Sequence, residues 1–491
     1  MTYQELLYIV ITFFSYFVLF FAVTVMSSYL ILAAISGSSL KSYINRNRFI
    51  NYNALLALRT APKISLIAPA YNESLTIREN VNSLLSIDYN NFDVIVVNDG
   101  STDDSIPILI DAFDLELSDI KYVTIIPTKH VKAIYKSKNP SFSKLIVVDK
   151  ENGGKSDALN TGVNMMDNPY IVCIDVDCIM DKDVLLKLTK PFMEQTNKRV
   201  IATGGVVRIA NSCIIKSGKL IEVHAPDNFL ARIQVLEYLR AFNLGRMAWA
   251  KLDGLLLISG AFGMFDRDIV IKSGGYNTKT VGEDMELVVR MRRYMIENKI
   301  KYAVKYIPDP LCWTEAPESY KILRKQRSRW TRGTMETLWI HRKMFLNPKY
   351  KLLGVLSFPY WFIYEYMAPL IEFVGLLFTL FIIFTSILNQ WVFVLLILLV
   401  YSFAVLFSMF ALYSEEVTYK KYNTLKDLKK LALISLIEPI IYHPFMVYAS
   451  IVGNIEKIKG SHGWGDMTRT GFKKGILTEK IITDFPSQEE K

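Results

Sequence analysis

The sequence predicts an α/β domain built on a mostly parallel sheet, flanked by transmembrane and interfacial α-helices. Three observations carry that prediction. Between residues 63 and 330, short apolar runs rich in β-branched residues alternate with helix-compatible stretches, the pattern of a parallel sheet covered on both faces. Hydrophobic residues make up 51% of the 491, and they concentrate at 6–35 and 352–452, lengths that suit a bilayer. Polar groups gather at the ends of three of the short runs: Tyr71 and Glu73, Asp99, and Asp175 with Asp177. In open α/β sheets ligands bind at such strand ends.

Residues 6–35 carry no charge and lack a basic start and a small-residue cleavage site, so they read as a retained span rather than a signal peptide. Glu5 precedes them, while Lys41, Arg46, Arg48, Arg59 and Lys63 follow. That asymmetry puts the N-terminus outside and the next domain in the cytoplasm. The expected division is a transmembrane helix at 1–40, a basic linker at 41–62, a cytoplasmic α/β domain at 63–335, interfacial and transmembrane helices at 336–453, and a cytoplasmic tail at 454–491.

Within the domain, strands are expected at 64–68, 94–97, 122–126, 145–148 and 170–174. Ser74 is placed to cap the first helix, and Gly153-Gly154-Lys155-Ser156 introduces a helix at 157–166. Residues 129–143 read as a polar surface excursion. Further strands are expected at 200–209 and 255–265, a long helical stretch at 229–252, and a helix from 285 to 296. Downstream, 360–372 mixes aromatics with Glu365 and Glu372 and reads as an interfacial helix; 373–388 and 391–413 read as a hairpin of spans. Residues 431–452 are long enough to cross, but Glu438, Pro439 and Pro444 argue for a bent segment that does not fully cross and borders a polymer path. The alternative is an extra span at 352–371.

The net charge of +10 does not point to nucleic acid, since no nucleic-acid-binding motif is present. The basic residues lie beside the apolar segments and at 321–332, which fits a membrane surface and bound phosphates. Cys173, Cys178, Cys213 and Cys312 show no zinc spacing and read as reduced core thiols.

Asp175-Val176-Asp177 ends an apolar strand, and a hard divalent cation wants such oxygen ligands alongside a nucleotide's phosphates. Alone the motif is weak, because paired carboxylates on a loop are commonly just solvated. It stands in order with Ala70-Tyr71-Asn72-Glu73, Asn98-Asp99-Gly100-Ser101, Gly282-Glu283-Asp284 and Gln326-Arg327-Ser328-Arg329-Trp330. Together these clusters resemble the membrane-integrated family 2 glycosyltransferases: cellulose synthase, hyaluronan synthase and, more closely, bacterial poly-β-1,6-N-acetylglucosamine synthase. Asn152-Gly153-Gly154-Lys155 and Arg232-Ile233-Gln234-Val235 add to the match.

The resemblance implies a GT-A-like (Rossmann-like) domain using a UDP-sugar, with UDP-N-acetylglucosamine preferred. By it, Tyr71, Glu73 and Asp99 hold uracil and ribose, and Lys155, Asp175, Arg327 and Arg329 complete the donor site. Asp175 and Asp177 take Mg2+ or Mn2+. Asp284 is the general base, and Glu283, Gln326 and Trp330 face the acceptor. Two positions depart from the family pattern: Asn98 stands where a second acid is usual, and Gly282 where a threonine is usual. The first bears on a ribose contact, the second on acceptor fit. The gating-loop sequence of cellulose synthase is not recognisable.

The function expected is an inverting, processive transferase in the plasma (inner) membrane that extends a β-linked polysaccharide and exports it. Its partners are the UDP-sugar, the growing polysaccharide, the lipid bilayer and an accessory export or regulatory subunit. Two alternatives remain: a transferase that glycosylates a lipid once, and a catalytically inactive membrane receptor for nucleotides or glycans. Product length separates the first, and UDP release the second.

Overall fold

The computed structural model describes residues 2–48, 61–216, 218–385 and 387–460. In chain order it has α1 (Tyr3–Asn47), β1 (Ile64–Ala70), α2 (Ile77–Leu85), β2 (Phe92–Asp99), α3 (Ser105–Phe113), β3 (Leu115–Leu117), β4 (Val131–Ser137) and β5 (Leu145–Lys150). Next come α4 (Lys155–Met165), β6 (Tyr170–Ile174), β7 (Ile179–Met180), α5 (Val184–Met193), β8 (Arg199–Ile209), β9 (Ile214–Lys216) and β10 (Lys219–Glu222). Helix α6 begins at Phe229–Leu239, passes through a π-helical Arg240–Arg246 and ends at Met247–Lys251. Then follow β11 (Phe262–Asp266), α7 (Arg267–Lys272), α8 (Glu283–Glu297), β12 (Tyr302–Thr314) and α9 (Tyr320–Ile340). Three helices close the described chain: α10 (Leu353–Thr385), α11 (Gln390–Thr418) and α12 (Leu425–Ile458).

The central sheet has ten strands in the order β3-β4-β5-β2-β1-β6-β11-β8-β12-β7. Its heart, β5-β2-β1-β6, is parallel. Val94, Ile95, Val96 and Val97 are fully buried, as an apolar run covered on both faces should be. The parallel register sets Ala70 beside Asn98 and Asn98 beside Asp149, so the polar strand ends meet at one edge. The fold is the expected mostly parallel α/β domain with long apolar helices.

Several local expectations are corrected. Residues 122–126 are not a strand: Ile126 gives its N–H to Asn164 Oδ1 and its carbonyl accepts from Asn164 Nδ2, so a side chain serves the backbone where a ladder was expected. The excursion at 129–143 contains β4, antiparallel to β5. The strand expected at 255–265 is shorter and lies at Phe262–Asp266, antiparallel to β6. Ser74 does not cap α2; Thr76 holds that position, and Ser74 N–H instead bonds Asp103. Helix α4 begins at Lys155 rather than Asp157, and α8 at Glu283 rather than Met285. β12 was not anticipated, because Pro308 and Pro310 interrupt it; the register with β8 shifts at those prolines.

The proposed interfacial helix at 360–372 and span at 373–388 are parts of one helical stretch, α10, with π-helical turns at Leu353–Ser357 and Trp361–Met367. Residues 431–452 belong to the 34-residue α12, which is helical through Pro439 and Pro444. Among the described residues four helices, α1, α10, α11 and α12, are long and apolar enough to cross a membrane. Charge pairs tie two of them to the sheet domain. Glu438 on α12 pairs with Arg240 on α6 at 2.9 Å, and Glu415 on α11 with Arg208 on β8 at 2.5 Å. Glu438 therefore faces protein, as its cost in lipid requires. All four cysteines are buried and free. Arg59 and residues 461–491, where tail and topology expectations were placed, lie outside the described residues.

Candidate active site

The site grows from adjacent parallel strand ends. β1 runs out into Tyr71-Asn72-Glu73, where Asn72 adopts a φ of 55°, a left-handed conformation that asparagine tolerates. Asn72 N–H bonds Ser101 Oγ at 2.9 Å, and Thr102 N–H bonds Asn72 Oδ1 at 2.8 Å. These bonds lock the loop after β1 to the loop after β2. Tyr71 is half exposed beside this junction. Glu73 N–H bonds Ser105 Oγ at 3.1 Å, and Glu73 Oε2 accepts from Thr76 Oγ1 at 3.3 Å.

Asp99 ends β2 and is buried. Its Oδ1 accepts from Lys150 Nζ at 2.6 Å and Gly153 N at 3.0 Å, and its Oδ2 from Gly154 N at 2.7 Å. The carboxylate thereby shapes the Gly153-Gly154 turn that delivers Lys155. Lys150, at the end of β5, is fully buried and also pairs with Asp157 at 2.7 Å. A buried ammonium persists only with such partners. Neither Lys150 nor Asp157 was anticipated; a lysine closing the apolar run 145–148 was the signal available. Asn98 donates from Nδ2 to Asp149 Oδ1 at 2.7 Å, its neighbour in register. A second acid at 98 would set a carboxylate against the Asp149 carboxylate beside it, so the amide is a structural accommodation here.

Asp175 follows β6 directly. Lys155 Nζ lies 2.5 Å from Asp175 and 3.5 Å from Glu283, and it also donates to the Gly260 carbonyl at 3.4 Å. Burial opposes the charge of Lys155, but Asp175 and Glu283 more than offset it and hold the pKa above the ordinary value. Gly260 N–H in turn bonds Asp284 Oδ2 at 2.8 Å, and Asp284 Oδ1 accepts from Met285 N at 2.8 Å. One lysine and one backbone unit thus join the strand-end carboxylates to the acids opening α8. Burial, against the attraction of Lys155 and with the repulsion of Asp284, pushes Glu283 up to about 7.

Ligand atoms of Asp175, Asp177 and Cys178 lie within 4.8 Å of one another. Hydrogen bonding with Cys312 and burial push the Cys178 thiol well up, and a soft sulfur is a poor match for a hard cation that prefers oxygen. The two carboxylates that remain suit a hard divalent cation such as Mg2+ or Mn2+.

Helix α9 brings the fifth cluster. Arg329 is close enough to favour the charged form of Glu283. Arg327 is turned elsewhere: it is buried, ion-paired through both terminal nitrogens with Glu237 of α6, and near Tyr442 of α12. The structure does not bring it to the strand-end carboxylates. Its guanidinium stacks on Trp330 at 4.2 Å, and Trp330 is 42% exposed, leaving ring surface open. Gln326 Oε1 is buried and has no hydrogen-bond partner among the described residues. The departure at Gly282 has a physical reason: a Cβ there would come within 2.6 Å of Gly333 Cα on α9. No threonine fits at that crossing.

Residues 62–333 match the family described as Glycosyltransferase like family 2. The chain belongs to the family 2 glycosyltransferases. The C-terminal half of this transferase, residues 275–463, also matches the family described as Chitin synthase. It is similar to the poly-β-1,6-N-acetyl-D-glucosamine synthase of Staphylococcus epidermidis, 28% identical over 276 residues, which cover 56% of this chain and 55% of that one. The synthase of the same name from Staphylococcus aureus is 27% identical over the same coverage. The matched part of the transferase thus spans about half the length of these relatives. Among solved structures, it is similar to a mannosyltransferase from Pyrobaculum calidifontis in complex with GDP-Man and Mn2+, at 16% identity. The TM-score there is 0.48, over 88% of this chain and 99% of that one.

Proposed function

We propose that this transferase is an inverting, processive enzyme that extends a β-linked polysaccharide from a UDP-sugar, with UDP-N-acetylglucosamine as the preferred donor. The observation that carries the reading is the junction at Lys155, where the donor-side carboxylate Asp175 and the acceptor-side Glu283 meet on one ammonium. Likeness to the staphylococcal poly-β-1,6-N-acetyl-D-glucosamine synthases supports the choice of sugar.

In this reading Tyr71 and Glu73 border the uracil and ribose, with Asp99 acting from behind by fixing the Gly153-Gly154 turn. Asp175 and Asp177 hold Mg2+ or Mn2+, which when bound supplies neutralising charge for the departing diphosphate. Lys155 and Arg329 bring further positive charge to the same place. Asp284 takes the proton of the attacking acceptor hydroxyl, held in position by Gly260 N–H. Attack opposite the leaving UDP inverts an α-linked donor to a β-linked product. The exposed ring of Trp330 offers a flat apolar face to the C–H side of the acceptor sugar.

We place the catalytic domain in the cytoplasm, with the polymer leaving through the membrane helices. Purified protein in detergent, offered a panel of UDP-sugars, should release UDP fastest from UDP-N-acetylglucosamine. Equal or faster release from another UDP-sugar overturns the donor assignment, and no release from any overturns the reaction.

A further inference from the structure

We propose that Glu336 and Lys457 are positioning residues that hold the acids Glu283 and Asp284 in place, so that the end of α12 governs transfer without touching substrate. The inference rests on the reading of Asp284 as proton acceptor. Glu336 lies on α9 beyond Trp330. Its Oε2 accepts from Thr280 Oγ1 at 2.7 Å and from Val281 N at 3.0 Å, and its Oε1 accepts from Lys457 Nζ at 2.6 Å. Thr280 and Val281 directly precede Gly282, the N-cap of α8, whose first residues are Glu283 and Asp284. Burial opposes the charge of Glu336, but the bonds from Lys457, Thr280 and Val281 hold its carboxyl below the ordinary value. It is therefore an ionised acceptor at neutral pH.

The grip on this loop is reinforced on both sides. Gly333, one turn before Glu336, makes the backbone contact with Gly282 that leaves no room for a Cβ. On α12, Gly453, Glu456 and Lys457 share one face, since residues three and four apart are neighbours on a helix. A Cβ at Gly453 would come within 2.8 Å of Ser328 O. The Glu456 carboxylate accepts from Ser328 Oγ and lies 3.9 Å from Arg332. Helix α12 is thus seated on α9, and through Glu336 α9 holds the main chain just ahead of the two acids. A displacement of α12 reaches Asp284 through two hydrogen bonds and one glycine contact. Misplacing a catalytic group by 1 Å can cost about 10²-fold in rate.

An ion pair that merely added stability would behave differently, and charge reversal separates the two roles. The full chain in detergent is assayed for UDP release from UDP-N-acetylglucosamine, with kcat and KM resolved and melting temperature recorded. Glu336→Gln and Lys457→Met should lower kcat by about 10- to 100-fold while donor KM stays within about twofold. The double exchange Glu336→Lys with Lys457→Glu should recover melting temperature yet leave kcat low, because an ammonium at 336 accepts no bond from Thr280 or Val281. Recovery of kcat with the exchange overturns the proposal; so does wild-type kcat in Glu336→Gln, or a loss confined to donor KM. If Glu336→Gln does not fold, Lys457→Met, at a side chain 27% exposed, carries the same test. Asp284→Asn is measured alongside. If it is inactive while both positioning variants turn over normally, only this inference falls. If it is fully active, or if wild type releases no UDP, the reading of the reaction falls and the inference with it.

Discussion

Asp284 and Glu283 are neighbours in sequence yet sit in different electrostatic settings. Asp284 is held by two backbone N–H groups, whereas Glu283 is buried beside Lys155 and pushed up to about 7. Asp284→Asn should therefore leave UDP-sugar binding nearly intact and remove transfer, by ~10²–10⁴-fold, as separate binding and turnover assays will show. For Glu283 the sign of the pH dependence is unusual for a carboxyl. Its folded pKa lies above the ordinary 4.5, so between those values the folded state binds more protons than the unfolded one. The stability it contributes is present below about 4.5 and is lost as pH rises to about 7. Melting temperature of the donor-free protein across that window should fall less in Glu283→Gln than in wild type. Gly282→Thr, restoring the residue usual in the family, should destabilise by about 1–3 kcal/mol through overpacking against Gly333, read by thermal melting. At this scale, Asp175, Asp177, Glu283 and Asp284 could be singled out from the sequence because each stands in a short motif. Lys150 and Glu336 were not, because their partners lie 51 and 55 residues away and only the fold introduces them.

Among the elements, the apolar runs that became β1, β2, β5 and β6 declared themselves through β-branched residues with no charge between them. β12 did not, since prolines inside a strand argue against one; register shifts let it remain paired with β8. The boundary expected at 372/373 falls inside the continuous helical stretch α10, because Glu365 and Glu372 interrupt its apolar run without ending the helix. The contact of α6 with α12 offers a direct test of what holds the helices to the domain. Arg240 donates to Glu438 through both terminal nitrogens, at 3.0 and 2.9 Å. Breaking a buried pair by removing one partner leaves a charge unsatisfied and typically costs ~3–5 kcal/mol. Glu438→Ala should lower the melting temperature in detergent clearly more than Lys272→Ala, whose partner Asp268 is a solvent-exposed neighbour on α7. On α9, Trp330→Ala should shorten the product while changing UDP binding only slightly. Collapse of donor affinity with unchanged chain length would reassign the ring to the nucleotide site.

Across the whole molecule, two of the long apolar helices, α11 and α12, meet the sheet domain at ion pairs, and the acids opening α8 sit against α9. Through Lys457 and Glu336 the end of α12 is joined to the main chain just ahead of those acids. Processive synthesis is read from product size at early times. With labelled UDP-N-acetylglucosamine and fewer completed chains than enzyme molecules, long β-linked polymer should be present from the first time points. Asp177→Asn should make none. Products of a single added sugar, or a ladder lengthening evenly with time, would contradict it.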